Sequence, residues 1–189
     1  QDYVELPSQL LEHWATTPEV LTEHARHYQT GEPIPDALVE RIQAAARFGS
    51  GFENVQYIAS TLTDLALHSR SNFDGLDAMA FEQEELGRIG LPPEAHPMHR
   101  FTGFRHLFSD SSYAAGYYVY MWAAVLDNDA FEAFEEAGNA FDPATAKRLH
   151  QYIYSAGSAI ESADAYRAFR GRDARVEAML RKRGLVETA

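Results

Sequence analysis

Three observations predict an all-α fold. Apolar residues recur at helical spacing along most of the chain. Glycine and proline gather between those periodic segments, where they act as punctuation. No stretch alternates apolar and polar residues as a half-buried strand would. Internal repeats and low-complexity tracts are lacking, and 189 residues suit one domain of ordinary size. Residues 1–189 therefore read as a single helical domain.

The elements follow in order. A first helix is predicted over about 3–14, with Val4, Leu10, Leu11 and Trp14 at helical spacing. A second runs from about Pro18 to Tyr28, opened by "TTPE" and closed around Gly31. A long helical pattern starts near Asp36 and carries apolar residues to about His68. It is interrupted by "FGSGF" at 48–52, which kinks it or splits it in two. Residues 69–75 and 90–103 read as loops, with an amphipathic helix in "LDAMAFEQEELGR" between them. "FRHLFSDSS" reads as a polar loop, and the next helix as about Ser112 to Glu136. Asp142 caps a helix with Pro143 at its first position, and two more helices cover 162–170 and 173–183, ending at Gly184.

Composition narrows the function classes. The net charge is -12, from 28 acidic and 16 basic residues. That argues against nucleic-acid and anionic-membrane partners, both of which need a basic footprint. The hydrophobic share of 46% is enough to build a core rather than a disordered chain. Without cysteine, any metal must be held by His, Asp or Glu. No run approaches the roughly 18 apolar residues of a membrane span.

Glu5 supports two readings. In "DYVE", Asp2 caps a helix and Glu5, three residues on, completes a capping box. Alternatively Glu5 points into a cleft as a ligand, since Gln9 and Glu12 share its helical face. His24 with His27 and His96 with His99 are spaced i, i+3. Two histidines do not make a metal site, and no Glu-x-x-His stands near to support a di-metal bundle. The basic tail "YRAFRGRDARVEAMLRKRG" reads as a solvated helix face.

"SSYAAGYYVYMW" carries Tyr113, Tyr117 and Tyr120 at i, i+4 and i+7. On a helix they fall within about 60° of one another, while Tyr118 points away. A stripe of aromatics usually means packing. A buried phenol needs a hydrogen-bond partner, however, and Phe or Leu would pack without one. A ligand-facing row and a buried stripe both remain open on spacing alone.

Several segments carry a resemblance. "DYVELPSQLLEHWATTPEVL", "HYQTGEPIPD", "HLFSDSSYAAGYYVYMWAAVLD" and "AYRAFRGRDARVEAMLRKRGL" together resemble the C-terminal part of the thimet-oligopeptidase family of zinc peptidases. The likeness runs toward the bacterial peptidyl-dipeptidase and oligopeptidase branch and covers Asp2 to Leu185 in order. It implies an all-helical, two-lobed, zincin-type enzyme whose deep channel admits short peptides. In that family zinc is bound by the two histidines of an H-E-x-x-H helix and a downstream glutamate, and the match falls on Glu5. The family's substrate-gripping segment resembles "HLFSDSSYAAGYYVY". Its histidine matches His106 and its tyrosines match Tyr113, Tyr117 and Tyr120. The resemblance implies that Tyr113 and Tyr120 stabilise the transition state and bind substrate, with Tyr117 and His106 assisting. Tyr118 is left to packing.

Two features depart from the family pattern. No H-E-x-x-H occurs in the 189 residues, and "FSDSS" lacks the glycines common in the family's loop. The expectation is therefore a C-terminal fragment of the catalytic domain of a cytoplasmic metallopeptidase, with H-E-x-x-H upstream and zinc belonging to the parent. No stably bound zinc and no activity are expected of the fragment itself. Its partners would be short peptides, the missing N-terminal part and, through the surface that part would cover, a second copy. Endopeptidase and dipeptidyl carboxypeptidase action both stay open. A non-catalytic helical peptide-binding module is the alternative, and a purely structural packing domain a third.

Overall fold

A computed structural model describes residues 2–186 and is all-α, as predicted. The helices are α1 (Leu6–Ala15), α2 (Pro18–His24), α3 (Asp36–Ala45), α4 (Ser50–His68), α5 (Ala78–Arg88), α6 (Arg105–Phe108), α7 (Val119–Glu136), α8 (Pro143–Leu149), α9 (Ser162–Arg170) and α10 (Glu177–Lys182). Among the described residues the only β pairing outside helices is an isolated antiparallel bridge between Arg26 and Pro33. No helix among them is long and apolar enough to cross a membrane. The described chain divides into two compact units, one of residues 49–120 and one of residues 2–48 together with 121–186.

In the second unit, α1 lays Leu6 and Leu10, both fully buried and one turn apart, into a core with Phe134, Leu149, Ile153 and Phe169. Trp14 meets Phe131 and Phe134 edge-on at 5.0 Å each, and its indole N–H donates to the Ala140 carbonyl at 2.7 Å. That pairing lets a large ring pack without stranding its polar atom. Across the same core, buried Asp129 of α7 accepts from the Tyr166 hydroxyl at 2.8 Å and from Arg172 at 2.6 Å. Arg170 donates to the Asp129 carbonyl at 2.8 Å and grips Glu136 with two nitrogens at 2.6 and 2.7 Å. Asp142 caps α8 as expected, accepting from the Thr145 N–H at 2.7 Å. Beyond α8 the chain continues through one π-turn over His150–Tyr154.

In the unit of residues 49–120, α4 and α5 bury Leu67 and Phe81 against Phe101, Phe104, Leu107 and Tyr117. Asp77 caps α5, accepting from Met79 and Ala80 N–H groups at 2.9 and 3.0 Å. Buried Glu82 accepts from the Phe101 N–H and from Arg100, each at 2.8 Å, which pins a short 3₁₀ turn at Phe101–Gly103 ahead of α6.

The long pattern from Asp36 to His68 is split in two at "FGSGF", one of the two outcomes expected there: α3 ends at Ala45 and α4 starts at Ser50, after Gly49 at a left-handed φ of 74°. Three sequence expectations are corrected. The first helix starts at Leu6, so Asp2 lies in a preceding turn and Glu5 is the N-cap residue rather than the third position of a capping box. Within "FRHLFSDSS", residues 105–108 form α6 rather than loop. The helix expected from Ser112 begins at Val119, and residues 112–118 are turns.

Candidate functional site

The tyrosine segment is shaped by a buried carboxylate. Asp64 of α4 has no exposed surface and accepts from the Ala115 and Tyr117 N–H groups, each at 3.0 Å. It also meets His68 Nδ1 one turn along α4 at 2.6 Å. On the other side of the turn, the Tyr57 hydroxyl donates to the Tyr117 carbonyl. These long-range bonds take backbone groups that an early start of α7 would have used. Ala115 sits at a left-handed φ of 55°, which a helix does not allow. At buried Gly116 a Cβ would lie 3.3 Å from the Tyr113 carbonyl oxygen, so the tight turn favours glycine there.

The turn still gathers the residues that helical spacing placed on one face. Tyr113 and Tyr120 lie stacked, with ring centroids 5.8 Å apart and planes within 5° of parallel. Tyr117 meets Tyr120 edge-on at 5.5 Å. His106, on α6, stands 4.2 Å from the Tyr113 ring, 6.2 Å from Tyr117 and 6.0 Å from Tyr120. Its Nε2 and the Tyr120 hydroxyl share a hydrogen bond of 2.7 Å. The hydroxyl donates when that nitrogen is bare and accepts when it carries the proton.

Burial differs across the cluster. His106 is exposed, Tyr113 and Tyr120 are half-buried, and Tyr117 is buried against Phe104 and Tyr57. Burial first, then the neighbouring Tyr57 and Tyr120, pushes the Tyr117 phenol up to about 12, so it remains a neutral O–H at ordinary pH. Asp110, beside the cluster, is held below the usual carboxylate range by donation from Ser112, the side chain first and the backbone N–H second. The arrangement is a set of neutral phenol donors and one imidazole on a floor of aromatic rings. Such a set suits binding of carbonyl oxygens, carboxylates and developing oxyanions.

Glu5 belongs to the other unit. It is half-buried at the N-terminus of α1, where the Ser8 hydroxyl lies 3.1 Å from its carboxylate and 3.0 Å from its carbonyl. Among the described residues, no group of three or more His, Asp or Glu side chains is gathered as a metal site. Zinc takes three or four protein ligands, so the described residues do not complete a zinc site. Of the histidine pairs, His27 Nδ1 accepts from the Gln29 and Thr30 N–H groups at 3.3 and 3.2 Å, stabilising the turn after α2. His96 contacts Gln56 at 3.2 Å, and His99 packs on Phe104 at 4.6 Å.

Sequence reasoning missed Asp64, His68 and Tyr57. The signal for the first two was an Asp and a His one turn apart in the otherwise apolar "TLTDLALH". A carboxylate on a core-facing helix position must find donors, and its partners mark what it organises.

Residues 1–185 match the family described as peptidase family M3. Among curated proteins, the chain is 34% identical to a dipeptidyl carboxypeptidase of Escherichia coli K12, over 98% of this chain and 27% of that protein. It is 36% identical to oligopeptidase A of the same strain, over 97% of this chain and 27% of that protein. It is also 36% identical to a probable cytosolic oligopeptidase A of Arabidopsis thaliana, over 98% of this chain and 27% of that protein. The chain thus spans about 27% of the length of these relatives. The family read from separate, ordered segments is the one matched along nearly the whole chain, and this protein belongs to peptidase family M3.

Proposed function

We propose that this chain is the C-terminal part of a zinc peptidase that hydrolyses short peptides, and that its tyrosine turn grips the substrate. The observation that carries the reading is the convergence of His106, Tyr113, Tyr117 and Tyr120, with His106 and Tyr120 joined at 2.7 Å. Attack on an amide puts negative charge on the carbonyl oxygen, and a neutral phenol O–H held nearby stabilises it. Tyr113 and Tyr120 take that role and also bind substrate. Tyr117 and His106 assist, His106 by orienting the Tyr120 hydroxyl and by donating to the substrate backbone or carboxylate end. Glu5 is proposed as one ligand of a zinc ion whose other ligands, an H-E-x-x-H pair, lie outside this chain. A cytoplasmic location belongs to the same reading, supported by a relative named as cytosolic. Relatives named as a dipeptidyl carboxypeptidase and as oligopeptidases support either mode of cleavage.

The test is hydrolysis of a quenched fluorescent short peptide. In the complete enzyme, Tyr113→Phe or Tyr120→Phe should lower kcat by about 10²–10³, the scale of losing one oxyanion donor, with the melting temperature unchanged. Wild-type rates in both variants would remove the proposed role. The 189-residue chain alone, with zinc added, should show no turnover; chelator-sensitive turnover by the pure chain would contradict the assignment. A reading frame continuous with the Gln1 codon and encoding H-E-x-x-H supports the proposal. A start codon there would instead favour a non-catalytic peptide-binding module.

A further inference from the structure

The unit holding α1, α3 and α10 contains a second polar constellation, separate in residues from the tyrosine cluster. His13 and Asp127 are both buried, and His13 Nε2 lies 2.6 Å from Asp127 Oδ1. Asn128 donates to the same Asp127 oxygen at 2.7 Å. The His13 ring stacks on Phe131 at 4.7 Å, which holds its orientation. Its other nitrogen, Nδ1, faces the Lys182 amine at 2.7 Å. With a neutral imidazole every contact is satisfied: His13 donates from Nε2 to Asp127 and accepts at Nδ1 from the Lys182 ammonium. This is a carboxylate–imidazole–nucleophile relay with an amine in the nucleophile position.

The relay opens on a cavity of about 670 Å³, lined by His13, Lys182, Arg47, Arg181, Glu132 and Glu135 among others. Arg181 is paired with Glu132, whereas Arg47 is exposed in the turn just beyond α3. Burial of the Lys182 ammonium lowers its pKa, helped by Arg183 and opposed by Asp127, Glu135 and Glu12. Lys182 is exposed as a whole residue, its amine is part-buried on His13, and the residue forms part of the cavity wall.

We propose that Lys182 is an acyl-accepting lysine, activated by the Asp127–His13 pair and served by small acyl phosphates that enter this cavity. The ammonium first gives one proton to His13 Nδ1, which passes it to solvent. The amine lone pair then attacks the acyl carbonyl carbon. The C–N bond forms, the C–O bond to phosphate breaks, and phosphate leaves with that electron pair and takes up the second amine proton. Arg47 steadies the phosphate as it departs. The product amide carries no charge, so acylation removes the cation next to Asp127.

The chain contains two lysines, and Lys147, exposed in the last turn of α8, is a built-in control. The complete enzyme is incubated with acetyl phosphate near neutral pH, and acetylation of Lys182 and Lys147 is followed by peptide mass spectrometry. Lys182 should acetylate several-fold faster than Lys147. Inorganic phosphate and Arg47→Gln should each slow Lys182 and leave Lys147 unchanged. His13→Asn should bring Lys182 down to the Lys147 rate; if that variant fails to fold, the wild-type ratio and Arg47→Gln decide alone. Lys182 reacting at or below the Lys147 rate overturns the activation. A fast Lys182 indifferent to phosphate and to Arg47→Gln overturns the acyl-phosphate site.

Discussion

Replacing Asp64 with alanine tests whether a single buried carboxylate holds the tyrosine turn. Asp64 is fully buried and accepts from two backbone N–H groups at 3.0 Å and from His68 at 2.6 Å. Bonds to a charged acceptor contribute about 1.5–3 kcal/mol each. Removing one member of a buried, paired set costs about 3–5 kcal/mol because its partners lose their acceptor. Since bonds in one network are not additive, the expected loss is about 3–5 kcal/mol rather than the sum. Asp64→Asn keeps one acceptor oxygen, and its new N–H₂ faces a backbone donor, so about 1–3 kcal/mol should be lost. Urea unfolding gives the global figure. Hydrogen exchange at the Ala115 and Tyr117 amides gives the local one, and a loss of about 1.5–3 kcal/mol there speeds exchange roughly 10- to 150-fold, at 1.36 kcal/mol per tenfold. The His106–Tyr120 pairing should loosen with it. Unchanged exchange at both amides in a folded Asp64→Ala variant would show that the turn stands without the carboxylate.

Three further outcomes follow from the packing. Asp129→Ala strips the acceptor shared by Tyr166, Arg172 and the Arg175 N–H, and should cost about 3–5 kcal/mol in urea unfolding. In alkali, Tyr117 and Tyr3, both pushed up to about 12 by burial, stay protonated in the folded state after an unfolded chain would have ionised near 10. A raised folded pKa gives stability that is complete below 10 and lost as pH rises through 12, so ultraviolet titration should show late phenols ionising together with unfolding. A single smooth titration near 10 in a chain that stays folded would contradict this. Finally, α4 leaves Phe52, Val55, Ile58 and Leu62 exposed along one side. Light scattering at high concentration should show association that Leu62→Asp reduces, and a clean monomer would refute it.

Much of this protein was legible along the chain. The helical period, the Asp142 cap with Pro143, and the break at Gly49 act between neighbours in sequence, and each appears in the structure where the residues predicted it or within a few positions. The ordered segments that carry the family likeness are local too, which is why the family could be read before any fold. What the chain could not show by itself was the conformation of residues 112–118. Helical spacing put Tyr113, Tyr117 and Tyr120 on one face, yet only Tyr120 lies in α7. A carboxylate 51 positions from Ala115 and 53 from Tyr117 takes their N–H groups, and that competition outweighs the local preference for helix. Contacts across the core likewise decided that His106 would meet Tyr120, and that Lys182 would meet His13 across 169 positions. Local propensity is set by neighbours a few residues away, whereas a buried polar group must find its partners wherever the fold brings them.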